Sequence, residues 1–127
     1  MLYSVGYLSE ITSGGRSNLF GLGSNVQEST PQMAAEQLRQ GALLVDVREP
    51  GEFHAARAPG ARNVPLGSLH TAIDRLPRDR TIHLICASGH RSRHAARLLT
   101  KAGFCEVFSV RGGTHGWSLS GLPLTRG

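Results

Sequence analysis

The sequence predicts an α/β fold in three layers, in which helices flank a central sheet that is mostly parallel. Two apolar runs, at residues 42–45 and 82–85, are continuous rather than alternating, which is typical of parallel strands covered on both faces. Helical patterns separate the strand-like segments, and that alternation is the order of an α/β protein. At 127 residues, the chain is long enough for one such domain and too short for a second.

The N-terminal 29 residues differ in composition from the rest. They are rich in Gly, Ser and Asn and show no sustained period, so we expect a mobile leader at 1–29 and the domain at 30–127. The first residues lack the pattern of a secretory signal, and no apolar stretch approaches the roughly 20 residues that cross a membrane. We therefore expect a cytoplasmic protein without a membrane span.

The first predicted helix begins after Thr30. Threonine caps helix N-termini, and Pro31 suits the first helical position because the nitrogen there needs no hydrogen bond. Apolar residues recur at helical spacing until Gly41, which ends the helix. The first strand follows at 42–45, and Asp46 stands at its end.

Strand and helix signals alternate along the rest of the domain. They predict a helical turn at 49–57, a strand at 61–64, a helix at 69–76, a strand at 82–85, a helix at 92–101, a strand at 107–110 and a last helix at 115–120. Open α/β sheets bind ligands at the carboxyl ends of their strands. Asp46 and Cys86, each directly after a strand, are therefore expected at one ligand-binding edge.

The charge and the cysteines narrow the possible partners. The formal charge of +5 would suit nucleic acid, but the basic residues are scattered, only one is Lys, and few aromatic residues are present to stack on bases. We therefore expect no nucleic-acid binding, and instead attraction of small anions or of an acidic protein. The two cysteines form neither a disulfide framework nor a zinc motif, so no metal site is expected.

Cys86 is the strongest candidate for chemistry. It lies on a turn between a strand and a helix, where unpaired N–H groups and the helix dipole favour a thiolate. His90 and Arg91 add positive charge, and Gly89 permits the tight turn that an anion cradle needs. A free cysteine is more often a small buried apolar residue, but a purely structural turn has no need of this combination. The loop predicts a nucleophile of lowered pKa for an anionic substrate.

Four sequence blocks occur in an order that is specific to one family. They are LVDVREP at 44–50 with EF at 52–53, PGA at 59–61 with NVP at 63–65, CASGHRS at 86–92, and GF at 103–104 with GG at 112–113, Trp117 and GLP at 121–123. In these blocks the chain, from about residue 30 onward, resembles the rhodanese (thiosulfate sulfurtransferase) family of the single-domain type. Where that family often has Gly-His-Ile before the PGA block, this chain has Ala-Arg-Ala.

The resemblance implies a reaction that the Cys86 loop suits. The Cys86 thiolate would attack the sulfane sulfur of thiosulfate or a persulfide and hold it as a persulfide until cyanide or a thiol takes it. The anionic substrate would bind backbone N–H groups of the loop, from Ala87, Ser88, Gly89, His90 and Arg91. The Arg91 side chain would add charge. No cofactor is required, and a sulfur-accepting protein is a candidate partner.

Other polar residues near the predicted site have two interpretations. The Ser88 hydroxyl and the His90 imidazole point either at the substrate or at solvent. Asp46 and Arg48 share the edge with Cys86, but we favour a supporting role for both. Arg48 would pair with the carboxylate at position 52, four residues later, and Asp46 would accept backbone hydrogen bonds.

Three further features are weaker candidates. Cys105 could resolve a Cys86 persulfide by forming a disulfide, but it lacks a cationic loop, so a passive role is favoured. The glycine pair at 112–113 and Trp117 are expected to serve a tight turn and core packing.

Two other functions stay open. A cysteine-dependent phosphatase of the dual-specificity cell-cycle type shares the fold, but its loop carries one residue more than the six from Cys86 to Arg91. The wider loop fits a phosphoryl group, so a sulfur compound is the better occupant here. A non-catalytic rhodanese module that binds or regulates a partner is less favoured because Cys86, Gly89 and Arg91 are all present.

Overall fold

The computed structural model describes residues 25–127, in which strands and helices alternate. The helices are α1 (Pro31–Arg39), α2 (Pro50–Ala55), α3 (Leu69–Ala72), α4 (His90–Lys101) and α5 (Gly113–Leu119), with 3-10 turns at Leu66–Ser68 and Ile73–Arg75. The strands are β1 (Glu28–Ser29), β2 (Leu43–Asp46), β3 (Ala56–Arg57), β4 (Arg62–Asn63), β5 (Ile82–Ile85), β6 (Val107–Val110) and β7 (Thr125–Arg126). None of the helices within these residues combines the length and the apolar character that a membrane span requires.

A five-stranded parallel sheet forms the centre of the fold. Its strand order is β1-β6-β5-β2-β4, and every pair of neighbours runs in the same direction. Strands β3 and β7 pair separately as a short antiparallel ribbon. The predicted α/β class, with a mostly parallel sheet flanked by helices, is confirmed.

The central strands are buried on both faces. Along β2, Leu43 and Val45 belong to one buried cluster, whereas Leu44 belongs to a second. Side chains alternate across a strand, so the two clusters lie on opposite faces of the sheet. Leu99 of α4 joins the first cluster and Trp117 of α5 joins the second. This cover on both sides explains why the strands are apolar without alternation, and it confirms the packing role predicted for the tryptophan.

The edge strand β1 lies within the segment that the sequence assigns to the leader. It pairs with β6 in parallel, and the Arg111 N–H donates to the Ser29 carbonyl over 2.8 Å. A strand of two residues has no periodic pattern, so nothing in the sequence predicts it. The rest of the predicted leader, residues 1–24, lies outside the described residues.

Four helices also differ in their bounds from the predictions. The helical turn predicted at 49–57 is α2, which ends at Ala55, and residues 56–57 form strand β3 instead. The helix predicted at 69–76 is α3 with 3-10 turns on both sides, because apolar residues spaced by three suit either geometry. Helix α4 begins at His90 rather than Ser92, and α5 begins at Gly113 rather than His115. In both helices the residue before the first turn is a glycine with positive φ. The helix begins directly after this glycine, two residues before the position predicted from the sequence.

Candidate active site

Cys86 follows β5 directly, and its side chain turns back into the loop that leads to α4. The residue is only 1% exposed. Its Sγ accepts hydrogen bonds from the Gly89 N–H over 3.0 Å and from the Ser92 N–H over 3.3 Å. Gly89 allows this close turn because its φ of 113° is open to glycine and strained for other residues. The loop therefore encloses the sulfur with N–H donors.

The pKa of the Cys86 thiol reflects two opposed effects. Burial alone would raise it, because a thiolate loses solvation in the interior. Hydrogen bonds from the Ser92 hydroxyl and from backbone N–H groups of the loop favour the anion and outweigh burial. The pKa therefore lies below its ordinary value, in the direction that the sequence predicted.

Ser92 supports the sulfur from the first turn of α4. Its hydroxyl oxygen lies 3.5 Å from Cys86 Sγ, 3.2 Å from the Gly89 carbonyl oxygen and 2.7 Å from Ser109 Oγ. Both serines are fully buried. Ser109 on β6 thus anchors Ser92, and Ser92 in turn contacts the thiol. Neither serine was among the predicted site residues, although a serine within the apolar run of β6 is itself a signal of a buried partner.

The glycine pair at 112–113 allows the start of α5 to pack against the cysteine loop and to donate hydrogen bonds to it. The Thr114 N–H donates to the Cys86 carbonyl over 2.7 Å, and the His115 N–H donates to the Ala87 carbonyl over 3.1 Å. A Cβ on Gly113 would lie 2.3 Å from the Cys86 carbonyl oxygen, which no side chain tolerates. The predicted tight turn is confirmed, and its role extends to fixing the loop. These bonds attach the Cys86 and Ala87 carbonyls to the first turn of α5, while the Gly89 and Ser92 N–H groups donate to the sulfur.

Arg91 forms an ion pair that the sequence did not predict. Its Nη1 and Nη2 donate to Glu52 Oε1 and Oε2 over 2.8 and 3.0 Å. These bonds hold the pKa of Glu52 down at about 2, helped by a backbone N–H bond from Glu49. The predicted pairing of Arg48 with Glu52 is therefore wrong, because the carboxylate faces the cysteine loop instead. Substrate binding by the Arg91 side chain stays a prediction.

Asp46 and Arg48 form a buried pair of their own. The Arg48 Nη2 donates to Asp46 Oδ2 over 2.8 Å, and its Nε contacts the same carboxylate. Asp46 Oδ1 also accepts the Arg48 backbone N–H over 2.9 Å, which confirms the predicted backbone hydrogen bond. The Arg48 Nη2 reaches on to the Ala56 carbonyl over 2.7 Å and so ties β2 to β3. These contacts agree with a supporting role.

The remaining candidates lie at the surface. Ser88 and His90 are exposed, and the Ser88 hydroxyl lies 3.4 Å from His90 Nδ1. Cys105 is a free, exposed thiol whose Sγ lies 3.9 Å from the Gly103 carbonyl oxygen. The structure gives Cys105 no surroundings comparable to those of Cys86 within the described residues.

The fold and the site together define an α/β protein with a buried, hydrogen-bonded thiol at the carboxyl edge of its parallel sheet. Residues 30–120 match the rhodanese-like domain, and the chain belongs to that family. It is 37% identical over 101 residues to the thiosulfate sulfurtransferase GlpE of Glaesserella parasuis serovar 5, which covers 79% of this chain and 94% of the relative. It is 34% identical over 97 residues to a sulfurtransferase of Allochromatium vinosum, which covers 76% and 89%.

Solved structures agree with this assignment. A rhodanese-related protein from Thermoplasma volcanium superposes with a TM-score of 0.72 at 28% identity, covering 78% of this chain and 97% of that one. Reduced CoADR-RHD from Bacillus anthracis superposes with a TM-score of 0.70 at 31% identity, but the match covers 73% of this chain and only 16% of that longer one. The family and its named relatives support a sulfurtransferase.

Proposed function

We propose that the protein moves a sulfane sulfur from thiosulfate or a persulfide to a thiol or cyanide through a persulfide on Cys86. One observation carries this proposal: the buried Cys86 Sγ accepts N–H hydrogen bonds from Gly89 and Ser92, which favour its anionic form. A thiolate is a strong nucleophile toward sulfur and needs no separate base. The names of the relatives support the same class of reaction.

The reaction divides into two displacements at sulfur. In the first, Cys86 Sγ attacks the outer sulfur of the donor, the Sγ–S bond forms, and the S–S bond of the donor breaks. Sulfite or a thiolate leaves with the electron pair. In the second, cyanide or a thiolate attacks the outer sulfur of the persulfide, and the electron pair of the breaking bond returns to Sγ. Neither displacement needs a cofactor.

The loop offers a binding site for the negative charge in both steps. Helix geometry leaves the first N–H groups of α4 without intrahelical acceptors, and its dipole is positive at that end. The Ser92 N–H is directed to Sγ, so the neighbouring amides of His90 and Arg91 are the groups we assign to the substrate anion. The persulfide anion would occupy the same position once the leaving group has departed.

The length of the loop supports sulfur rather than phosphorus chemistry. Six residues run from Cys86 to Arg91, and the Gly89 and Ser92 amides lie close around the sulfur. One further sulfur atom is smaller than a phosphoryl group with three equatorial oxygens. We therefore propose no phosphatase activity.

We further propose a small anionic sulfur donor, and a thiol, cyanide or sulfur-accepting protein as the acceptor. The positive charge of the chain would attract such donors and an acidic protein surface. A reducing cytoplasm would keep the Cys86 thiol free for the first displacement.

Intact mass spectrometry tests the proposal. Reduced protein treated with thiosulfate or a small persulfide should gain about 32 Da, the mass of one sulfur atom, and cyanide should remove it as thiocyanate. The adduct should be absent from Cys86→Ser and present in Cys105→Ser. Folded, reduced protein that gains no sulfur from either donor would refute sulfur transfer and favour a binding module.

A further inference from the structure

Three N–H donors hold the Glu52 carboxylate beside the cysteine loop. Arg91 Nη1 and Nη2 bind it over 2.8 and 3.0 Å, and the Glu49 N–H donates to Oε1 over 2.9 Å. The last bond belongs to a capping box, in which the Glu49 side chain also accepts the Glu52 backbone N–H at the start of α2. The carboxylate therefore occupies one position and stays ionised at neutral pH.

This ion pair changes what Arg91 offers to a substrate. Arg91 is the one side chain between Cys86 and Arg91 with a permanent positive charge. Both of its terminal nitrogens face Glu52, so an anion that seeks them must displace a two-bond carboxylate. An anion that binds without breaking the Arg91–Glu52 ion pair is not attracted by a net charge there, because the two charges cancel. The backbone N–H groups and the helix dipole then bind the substrate.

Donors of different charge respond differently to such a site. A persulfide of a neutral thiol carries one negative charge on the sulfur that reacts, where the loop amides can bind it. Thiosulfate carries two, and the second charge lies on the sulfonate end, away from the amides around Sγ. The helix dipole supplies only about half a charge. A dianion therefore requires a counter-charge that Glu52 has already neutralised.

We infer that Glu52 is a specificity-determining residue, which withdraws the Arg91 guanidinium from the anion cradle and so favours singly charged persulfide donors over dianionic thiosulfate. The inference rests on the proposed function, since it concerns the donor of that same reaction. It assigns Glu52 an electrostatic role on Arg91 rather than contact with the reacting sulfur.

The test measures how fast each donor sulfurates Cys86 in wild type and in Glu52→Gln. The amide keeps the shape of the side chain and removes its charge. The rate constant with thiosulfate should rise about tenfold, and that with hydroxyethyl persulfide should change less than about threefold. Glu49→Gln is the matched control, because it removes one negative charge from an exposed side chain that has no ion pair to Arg91, and its amide oxygen can still accept the Glu52 backbone N–H of the capping box. Its donor ratio should equal that of wild type.

A second measurement does not depend on sulfur transfer. Cys86 is alkylated with iodoacetate, an anion, and with iodoacetamide, which is neutral, and the ratio of the two rates cancels any change in the thiolate fraction. Glu52→Gln should raise this ratio about threefold, and Glu49→Gln should leave it unchanged. Melting curves establish that both variants are folded.

The outcomes separate the two proposals. If neither donor sulfurates wild type, the proposed function is refuted, and the alkylation ratio still reports whether Glu52 screens the site. If wild type is sulfurated but Glu52→Gln changes neither the donor ratio nor the alkylation ratio, the role of Glu52 is refuted and sulfur transfer stands. An equal change in Glu49→Gln would also refute it, because the effect would then be one of general charge.

Discussion

Strand β5 carries one buried titratable side chain, His83, and Cys86, a second, follows directly after the strand. Each residue is 1% exposed. Burial lowers the pKa of His83 to about 4, so its ring is neutral at pH 7. Burial would raise the pKa of Cys86, but hydrogen bonds reverse the direction and favour the thiolate. The same loss of water thus leaves one group neutral and the other prone to ionise.

The partners of each group explain the difference. The His83 ring takes one role on each nitrogen, because Nε2 donates to Gln37 Oε1 over 2.8 Å and Nδ1 accepts from Ser29 Oγ over 2.9 Å. It also stacks on Phe108 with ring centroids 5.1 Å apart. These contacts suit a neutral imidazole that joins β5 to α1 and β1. Cys86 instead receives donors, which suit an anion. Partner chemistry, rather than depth of burial, separates the structural group from the reactive one.

The largest expected effect is on the reactive group itself. Cys86→Ser should lower sulfur transfer at least about a thousandfold, because a hydroxyl neither ionises in this loop nor forms a persulfide. Cys105→Ser should keep most of the activity, since that thiol is exposed and, within residues 25–127, no N–H group donates to its sulfur. Steady-state assays with thiosulfate and cyanide measure both. Loss of activity in both variants would point instead to a shared two-cysteine mechanism.

The next effect comes from the turn that locks the loop. Gly113→Ala should lower Cys86 alkylation and sulfur transfer about a hundredfold and destabilise the fold by about 2 to 4 kcal/mol, because its Cβ would overlap the Cys86 carbonyl oxygen. Gly121→Ala is the control: it also has positive φ, but nothing lies within 4 Å of its Cβ. Urea unfolding and alkylation rates compare the two. Equal losses in both would assign the effect to backbone conformation alone.

A smaller effect is expected from the hydroxyl beside the sulfur. Ser92→Ala removes the hydroxyl whose hydrogen bond with the sulfur lowers the pKa of Cys86, so this pKa should rise and iodoacetamide alkylation near neutral pH should slow about tenfold. Ser88→Ala, which removes an exposed hydroxyl, should leave the pH profile in place. A profile unmoved by Ser92→Ala would show that the backbone amides suffice.

The smallest effect on chemistry at pH 7 is expected at His83. Because its folded pKa is about 4 and an unfolded histidine titrates near 6.5, the unfolded state binds the proton first. Stability should therefore be fully present above about pH 6.5 and fall by about 3 kcal/mol as the pH drops to about 4. His83→Gln should flatten this part of the curve, and exposed His70→Gln should not. Urea unfolding at several pH values measures this dependence of stability on pH. If the slope of the unfolding free energy against pH were the same in His83→Gln as in wild type, His83 would not be its cause.

The sequence predicted those features of the site that depend on residues close together in the chain. It did not predict the contacts between residues that are far apart in the chain. The apolar strand, Gly89 and the helix after Cys86 are neighbours in the chain, so their pattern predicted the loop and the direction of its pKa. The Glu52 and Arg91 pair joins residues that only the folded chain brings together, and the local spacing favoured Arg48 as the partner instead. A spacing rule for helices fails where a stronger partner lies across a tertiary contact.

Polar residues inside apolar strands indicate buried hydrogen bonds, and these indications were not used to predict the site. His83 lies in β5 and Ser109 in β6, and a buried polar group needs a partner. Each of these residues therefore predicted a buried hydrogen bond, but its partner is brought near only by the fold. The partners are Gln37 and Ser29 for the first and Ser92 for the second.

The parallel pairing of β1 also has a consequence for how the domain assembles. Glu28 lies opposite Ser109, so β1 cannot pair until β6, the last strand of this sheet along the chain, has been synthesised. Closing so long a loop is slow, and β5 must first join β2 and β6 to form the surface that β1 completes. In pulse-labelled hydrogen exchange during refolding, the Arg111 amide, which bonds to Ser29, should gain protection after the amides between β2 and β5. Among the five strands of the sheet, β1 leaves the ribosome first and is expected to pair last.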